Sequence, residues 1–307
     1  MDIHFDWFLW ITDQLVADPP VADDAIQAQL CKALKLSDDE ASELVGDIKN
    51  HPLMAALIAK NHQLENREWH MLMQSKMARI AQHQLTVADR APSFTQFVRD
   101  FYSPNRPLLI KNAIADWPAA ELTPLTLLNE IGDTPLEVMA GRNDADNCEI
   151  DKDRFRRTMP FNEFFEIVMA NKSGNNLYLT AANRIANQKV LAPFIDGKIG
   201  DFADGYLDPA MQEEVALWFG PEGTHTSLHH DKNNNLLIQV HGRKRVYLVS
   251  PAQTPLLYNT TLCFSPIDLS CPDLERYPLA EHIQPYEVEL NAGDALFIPA
   301  GWWHQIE

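Results

Sequence analysis

The hydrophobic pattern of the chain changes near residue 91, and the two parts predict different structures. Before that point apolar residues recur with helical spacing. Ser37 and Glu40 have the spacing of a capping box, in which each side chain satisfies a free backbone N–H at the start of a helix. We therefore expect a helical N-terminal region over residues 1–90.

Within this region a long helix is expected from Pro52 to about Leu85. Leu57, Leu64 and Met71 recur every seven residues and would form one apolar stripe along it. The stripe is a candidate dimerisation surface, which would make the protein a homodimer. A helix packed on its own domain would show the same pattern, so both interpretations stay open.

From residue 91 onward short elements separated by turn residues replace the helical pattern. Ser93–Gln96 predicts another capped helix, and Arg106–Lys111 predicts a short strand. Past residue 220 most apolar runs are of β type, at Leu236–Val240, Arg245–Val249, Tyr286–Leu290 and Ala295–Pro299. Short strands with Gly, Pro and Asn between them are typical of a β-sandwich or barrel.

The composition narrows the class of protein. The chain has 307 residues, 46% of them hydrophobic, and a formal net charge of −18. This excludes a disordered chain and disfavours contact with nucleic acid or an anionic membrane. We expect a cytoplasmic protein, because the N-terminus carries Asp2 and Asp6 in place of a basic signal start, and the four cysteines contain no C-x-x-C pair.

The distribution of histidines predicts that any metal or acid–base chemistry lies in the last third of the chain. Six of the 11 lie between residues 225 and 304, and two of these six are adjacent in His229-His230-Asp231. On a strand, residues i and i+2 share a face, so His229 and Asp231 can converge on one metal ion. His230 would point to the opposite face, and we expect it at the surface.

A second metal-binding histidine is supplied by Gly293–His304, where a Gly-Asp turn leads into an alternating strand that ends at His304. Two imidazoles and one carboxylate occupy one face of an octahedron and leave three positions open, which is the ligand set of non-haem Fe(II) oxygenases. The neighbouring Trp302 and Trp303 are expected in the core or the pocket wall.

These motifs closely resemble those of the cupin-like JmjC hydroxylases, the Fe(II)/2-oxoglutarate-dependent dioxygenases that include the asparaginyl hydroxylase of hypoxia-inducible factor. The resemblance covers residues 91–307. It implies a mainly β catalytic domain folded as a double-stranded β-helix (jelly roll), with Fe(II) bound by His229, Asp231 and His304. It also implies 2-oxoglutarate and O2 as cosubstrates.

The resemblance assigns four more residues to the cosubstrate pocket. Lys244 stands fifteen positions after His229, where the family has a lysine that binds the distal carboxylate of 2-oxoglutarate. Thr226, Tyr178 and Asn235 match a threonine, a tyrosine and an asparagine that line the same pocket. A dicarboxylate requires one fixed cation and hydroxyl donors, which these residue types provide.

The function that follows is hydroxylation of a C–H bond, with a protein side chain as the first expected substrate and a small molecule as the second. The family has one more strand after its last metal histidine, so with the sequence ending at Glu307 we expect the final strand to be missing. Two other classes stay open: a non-oxidative cupin metalloenzyme of the isomerase type, and a catalytically silent cupin binding module.

Overall fold

A computed structural model of the chain describes residues 10–11, 14–15, 21–50, 54, 85–144, 148–170, 174–195, 215–259 and 263–307. The chain divides into two compact units, Met1–Lys76 and Met77–Glu307. Apart from Met54 and Leu85, the helix predicted from Pro52 and its apolar stripe lie outside the described residues. None of the described helices is long and apolar enough to cross a membrane.

In the first unit, the helices whose full bounds the structure describes are α1 (Asp23–Leu34) and α2 (Asp38–Asn50). The capping box predicted before α2 is confirmed, because the Ser37 N–H donates to Glu40 Oε2 at 2.8 Å and the Glu40 N–H donates to Ser37 Oγ at 3.3 Å. Buried apolar residues from the two helices form one cluster, with Ile26, Leu30, Ala41, Leu44, Val45 and Ile48 among its members.

The second unit contains five short helices and eleven strands in its described residues. The helices are α3 (Phe94–Phe97), α4 (Pro124–Ile131), α5 (Lys152–Phe155), α6 (Phe161–Ala170) and α7 (Arg184–Ile195). The strands are β1 (Thr86–Ala88), β2 (Leu108–Ile110), β3 (Pro135–Ala140), β4 (Arg156–Pro160), β5 (Leu177–Tyr178), β6 (Thr226–His230), β7 (Asn235–Ile238), β8 (Arg243–Val249), β9 (Tyr286–Asn291), β10 (Ala295–Ile298) and β11 (Trp303–Ile306). The predicted strands after residue 220 are therefore confirmed, and so is the capping box at Ser93.

One boundary of the predicted helical region is wrong. Thr86–Ala88 forms β1, which pairs in parallel with Leu108–Ile110 and so belongs to a sheet of the second unit. The β-branched Thr86 and Val87 suit a strand better than a helix end. Residues 86–90 are therefore not helical, contrary to the expected helical region up to residue 90.

Two four-stranded sheets, ordered β1-β2-β10-β7 and β6-β11-β8-β9, form the jelly roll. Both sheets contribute side chains to one buried cluster, namely Leu109, Leu296 and Ile298 from the first and Val246, Leu248, Val288 and Leu290 from the second. Shared burial of this kind shows that the sheets pack face to face. The predicted mainly β fold is confirmed.

The third sheet, ordered β4-β3-β5, has one face covered by helices. Its Leu136, Val138 and Leu177 pack with apolar side chains of α4, α6 and α7 in one large cluster. Because side chains alternate along a strand, Tyr178 points away from the face that holds Leu177. This arrangement turns Tyr178 from the helical layer toward Lys244 of the jelly roll.

Candidate metal centre and adjoining pocket

The register of β6 against β11 brings two histidines together. His304 is the direct cross-strand partner of His229, and their ring centroids lie 4.2 Å apart. Directly opposed residues of an antiparallel pair point to the same face. The neighbouring pair, His230 and Trp303, therefore points to the other face, where the two rings meet edge to face at 4.6 Å.

Asp231 follows β6 directly and completes the cluster. Its Oδ2 lies 3.6 Å from His304 Nε2 and 4.0 Å from His229 Nε2. One potential ligand atom from each of the three side chains lies within 4.8 Å of the others. In the part of the chain that the structure describes, this is the one group of three such side chains that could hold a metal ion.

Hydrogen bonds fix which atoms of these side chains face the centre. His229 Nδ1 lies 2.7 Å from the Ser227 carbonyl, and His304 Nδ1 lies 3.0 Å from the Trp302 carbonyl. A ring nitrogen that donates its N–H to a carbonyl leaves Nε2 as the lone pair for a metal. Both histidines therefore present Nε2 to the centre.

Burial favours the neutral, metal-binding form of His304. Its desolvation, together with the nearby charge of His229, lowers the pKa of His304 to about 3. Asp231 is oriented by Asn235, whose Nδ2 donates to Asp231 Oδ2 at 2.5 Å. Two imidazoles that present Nε2 and one oriented carboxylate fit Fe(II) of the non-haem oxygenase type.

The inner face of the second sheet also carries a cation, Lys244. Lys244 is the cross-strand partner of Leu290 and shares its strand face with Val246, which lies in the core between the sheets. Lys244 Nζ donates to Tyr178 Oη at 3.0 Å. Among the described residues no carboxylate forms an ion pair with Lys244, so its charge is available to an anionic ligand.

A β-bulge turns Thr226 toward the same interior. His229 opposes His304 and Thr226 opposes Ile306, so three residues advance along β6 while two advance along β11. On a regular strand an odd spacing would place Thr226 and His229 on opposite faces. Thr226 Oγ1 is buried and has no hydrogen-bond partner among the described residues, which leaves it free for a polar ligand.

The predicted site residues fall into two contact groups: Asn235 with the cluster of His229, Asp231 and His304, and Lys244 with Tyr178. Thr226 lies on the same inner face as His304. One contact differs from the prediction. Asn235 touches the carboxylate of Asp231, whereas the prediction placed it in the wall of the cosubstrate pocket. His230 was expected at the surface, but it is half-buried in β6, and burial lowers its pKa. Trp302 and Trp303 are buried as predicted.

Three further residues were not found from the sequence. Phe264 forms an isolated bridge with His229, and their rings stack at 5.8 Å. The buried Arg142 pairs with Glu149 behind Tyr178. These residues belong to no metal-ligand motif and to no regular hydrophobic pattern. Their contacts therefore had no signal in the sequence.

The fold and this site define a class: a jelly roll with two histidines and a carboxylate on its inner face is a cupin-type metal-binding domain. A family model described as Cupin-like domain matches residues 94–307, and the chain belongs to that family. Its relatives include JmjC-domain proteins, and the JmjC family uses Fe(II) and 2-oxoglutarate with O2.

Three relatives illustrate the similarity. Lysine-specific demethylase JMJ30 of Arabidopsis thaliana is 31% identical over 220 residues, which cover 70% of this chain and 50% of the relative. Jumonji C domain-containing protein 5 of Drosophila melanogaster is 30% identical over 226 residues, covering 70% and 55%. HSPB1-associated protein 1 of Homo sapiens is 42% identical over 121 residues, covering 37% and 24%. The chain spans about half the length of the first two.

Proposed function

We propose that the protein is an Fe(II)- and 2-oxoglutarate-dependent dioxygenase that hydroxylates a C–H bond, with a protein side chain as its substrate. One observation carries this proposal: a cluster of two histidines and one carboxylate shares an interior surface with a lysine that has no carboxylate partner among the described residues. A metal site alone would fit many cupins. The added cation fits a dicarboxylate cosubstrate.

His229, Asp231 and His304 would hold the iron. When bound, Fe(II) activates O2 and couples the decarboxylation of 2-oxoglutarate to oxidation of the substrate. The chain itself supplies orientation. The Ser227 and Trp302 carbonyls hold the two imidazoles with Nε2 inward.

Lys244, Tyr178 and Thr226 would bind the distal carboxylate of 2-oxoglutarate. Lys244 provides the charge, and the hydroxyl groups of Tyr178 and Thr226 provide neutral donors. Thr226 is buried and Lys244 is half-buried, so the interaction would form largely away from water. Charge-assisted hydrogen bonds in such an environment are stronger than those between neutral groups.

The substrate class is suggested by the relatives. Two of those with the strongest similarity carry names that describe lysine-specific demethylases or JmjC proteins. We therefore place peptides first, including peptides with methylated lysine, and small metabolites second. The net charge of −18 is consistent with a substrate that is not a nucleic acid.

The test is succinate formation by the full chain supplied with Fe(II), 2-oxoglutarate and O2, measured with and without a panel of peptides and metabolites. Succinate that depends on both Fe(II) and 2-oxoglutarate and rises with one substrate supports the proposal. Metal-dependent turnover that does not require 2-oxoglutarate would instead identify a non-oxidative cupin enzyme. Binding without any turnover would identify a binding module.

Matched variants complete this experiment. Asp231→Ala removes a proposed ligand and should abolish succinate formation. Asp116→Ala removes an exposed carboxylate in a turn and should leave the activity unchanged. Equal activity of the two variants would contradict the proposed metal site.

A further inference from the structure

A buried guanidinium lies behind the cosubstrate pocket. Arg142 follows β3 and is 1% exposed, and its Nη1 lies 2.9 Å from Glu149 Oε1. Burying a charge is costly even when it is paired, because the pair regains only part of the lost hydration. A fully buried arginine next to a predicted ligand pocket therefore calls for a role that a smaller apolar residue could not perform.

The contacts of Arg142 join the starts of two strands. Its Nη2 donates to the His225 carbonyl at 2.7 Å, and its Nε donates to the Asn175 carbonyl at 3.2 Å. Asn175 Oδ1 in turn accepts the His225 N–H at 2.9 Å. His225 directly precedes Thr226, and Asn175 lies three residues before Tyr178. One side chain thus sets the position of both hydroxyl residues of the pocket.

Arg142 also contacts the tyrosine ring itself. Its guanidinium carbon lies 5.2 Å from the centroid of the Tyr178 ring, within the range of a cation–π interaction. Gly220 packs close to the same ring, since a Cβ at that position would lie 2.7 Å from Tyr178 Cδ2. The ring is therefore confined, and its hydroxyl is directed to Lys244.

We infer that Arg142 is a positioning residue of the cosubstrate pocket: through the His225 and Asn175 backbone and the Tyr178 ring, it holds Thr226 and Tyr178 where a 2-oxo dicarboxylate is bound. This inference rests on the proposed function. It assigns to Arg142 a purpose beyond stability, because the fork of its guanidinium binds the Asn175 and His225 carbonyls at the same time and so reinforces the link that the Asn175 side chain makes to the His225 N–H.

The decisive variant is Arg142→Met with Glu149→Gln, which removes one positive and one negative charge together. The net charge near the pocket is unchanged, so any loss of affinity comes from lost contacts. We expect 2-oxoglutarate affinity, measured by calorimetry with redox-silent Mn(II), to fall about 5- to 30-fold, which corresponds to about 1–2 kcal/mol. Mn(II) affinity without 2-oxoglutarate should change less than twofold.

Two comparisons separate positioning from simple stabilisation. Glu149→Gln alone keeps the guanidinium contacts and should bind 2-oxoglutarate at least as tightly as the unchanged chain. Arg99→Met with Asp100→Asn removes an exposed pair of the same charges, whose nitrogen and oxygen lie 2.7 Å apart, and should have no effect. In turnover, the Arg142 variant should raise the KM for 2-oxoglutarate while kcat at saturation changes less than threefold.

Each outcome has a defined meaning. Unchanged 2-oxoglutarate affinity in the Arg142→Met/Glu149→Gln variant overturns the inference, as does an equal loss in Glu149→Gln alone. If the double variant does not fold, Arg142→Lys keeps the charge but not the fork, and wild-type affinity in that variant also overturns the inference. Failure of the unchanged chain to bind 2-oxoglutarate with Mn(II) would instead refute the proposed function.

Discussion

Two adjacent histidines provide the sharpest test of the metal centre, because the strand places them on opposite faces. His229→Ala removes an inward ring that lies beside His304. His230→Ala removes an outward ring that lies against Trp303. The two changes are chemically identical and one residue apart, so each serves as the control for the other.

The two variants should change different quantities: metal affinity in His229→Ala and folding stability in His230→Ala. Changes to groups that only orient metal ligands cost about 10- to 100-fold in metal affinity, so losing the His229 ligand should cost more than about 100-fold. His230→Ala should keep the metal and lose the edge-to-face contact of about 0.5–1.5 kcal/mol. With the lost packing, its free energy of unfolding should fall by about 1–3 kcal/mol.

The assay is a calorimetric titration of both purified variants with Co(II) or Zn(II), together with thermal unfolding. We expect His229→Ala to lose tight metal binding, and His230→Ala to bind metal normally with a lower melting temperature. The opposite result, with metal lost in His230→Ala and retained in His229→Ala, would show that the register of β6 against β11 is wrong. The placement of Thr226 would then fail with it.

Three further predictions concern the pocket and its support. Lys244→Met should weaken 2-oxoglutarate binding about 30- to 150-fold in calorimetry, because the lost pair between a partly exposed lysine and a carboxylate contributes about 2–3 kcal/mol. Arg245→Met, which removes a cation from the outer face of the same strand, should leave the affinity unchanged. Asn235→Ala should lower Co(II) affinity about 10- to 100-fold in spectroscopic titration, because Asp231 loses its orienting amide. Asp294→Asn should lower the free energy of unfolding in urea by about 1–3 kcal/mol, because it removes the charge of a buried carboxylate that pairs with the partly exposed Lys111. Burial alone would raise the pKa of Asp294, but Lys111 and backbone N–H groups lower it below its ordinary value. The stability that ionised Asp294 contributes is therefore present above about pH 4 and is lost as the pH falls through the folded pKa. The Asp294→Asn variant should lack this pH dependence of stability.

Local sequence patterns predicted the parts of this molecule that depend on local geometry. The short apolar run Ala295–Pro299 predicted β10, and the serine-to-glutamine spacing at Ser93 predicted a helix start. Asp231 could be placed beside His229 because a strand fixes the faces of residues i and i+2. These features need no information about distant residues.

The features that sequence reasoning missed depend on distant partners. The bulge that turns Thr226 inward exists only because β6 pairs with β11 in a shifted register. The link from Arg142 to the His225 carbonyl joins residues that are 83 positions apart in the chain. A pattern of residue types along one segment contains no record of such tertiary contacts.

The pairing of β6 with β11 also ties metal binding to folding. His229 and His304 are separated by residues 230–303, and they meet only when the second sheet is complete. An unfolded chain does not hold this ligand set, so a bound ion acts on the folding equilibrium by mass action. At one hundred times its Kd a ligand adds about 2.7 kcal/mol to the stability of the state that binds it. The ion would therefore also hold the two strands together, and the stability of this domain would rise with the concentration of free metal.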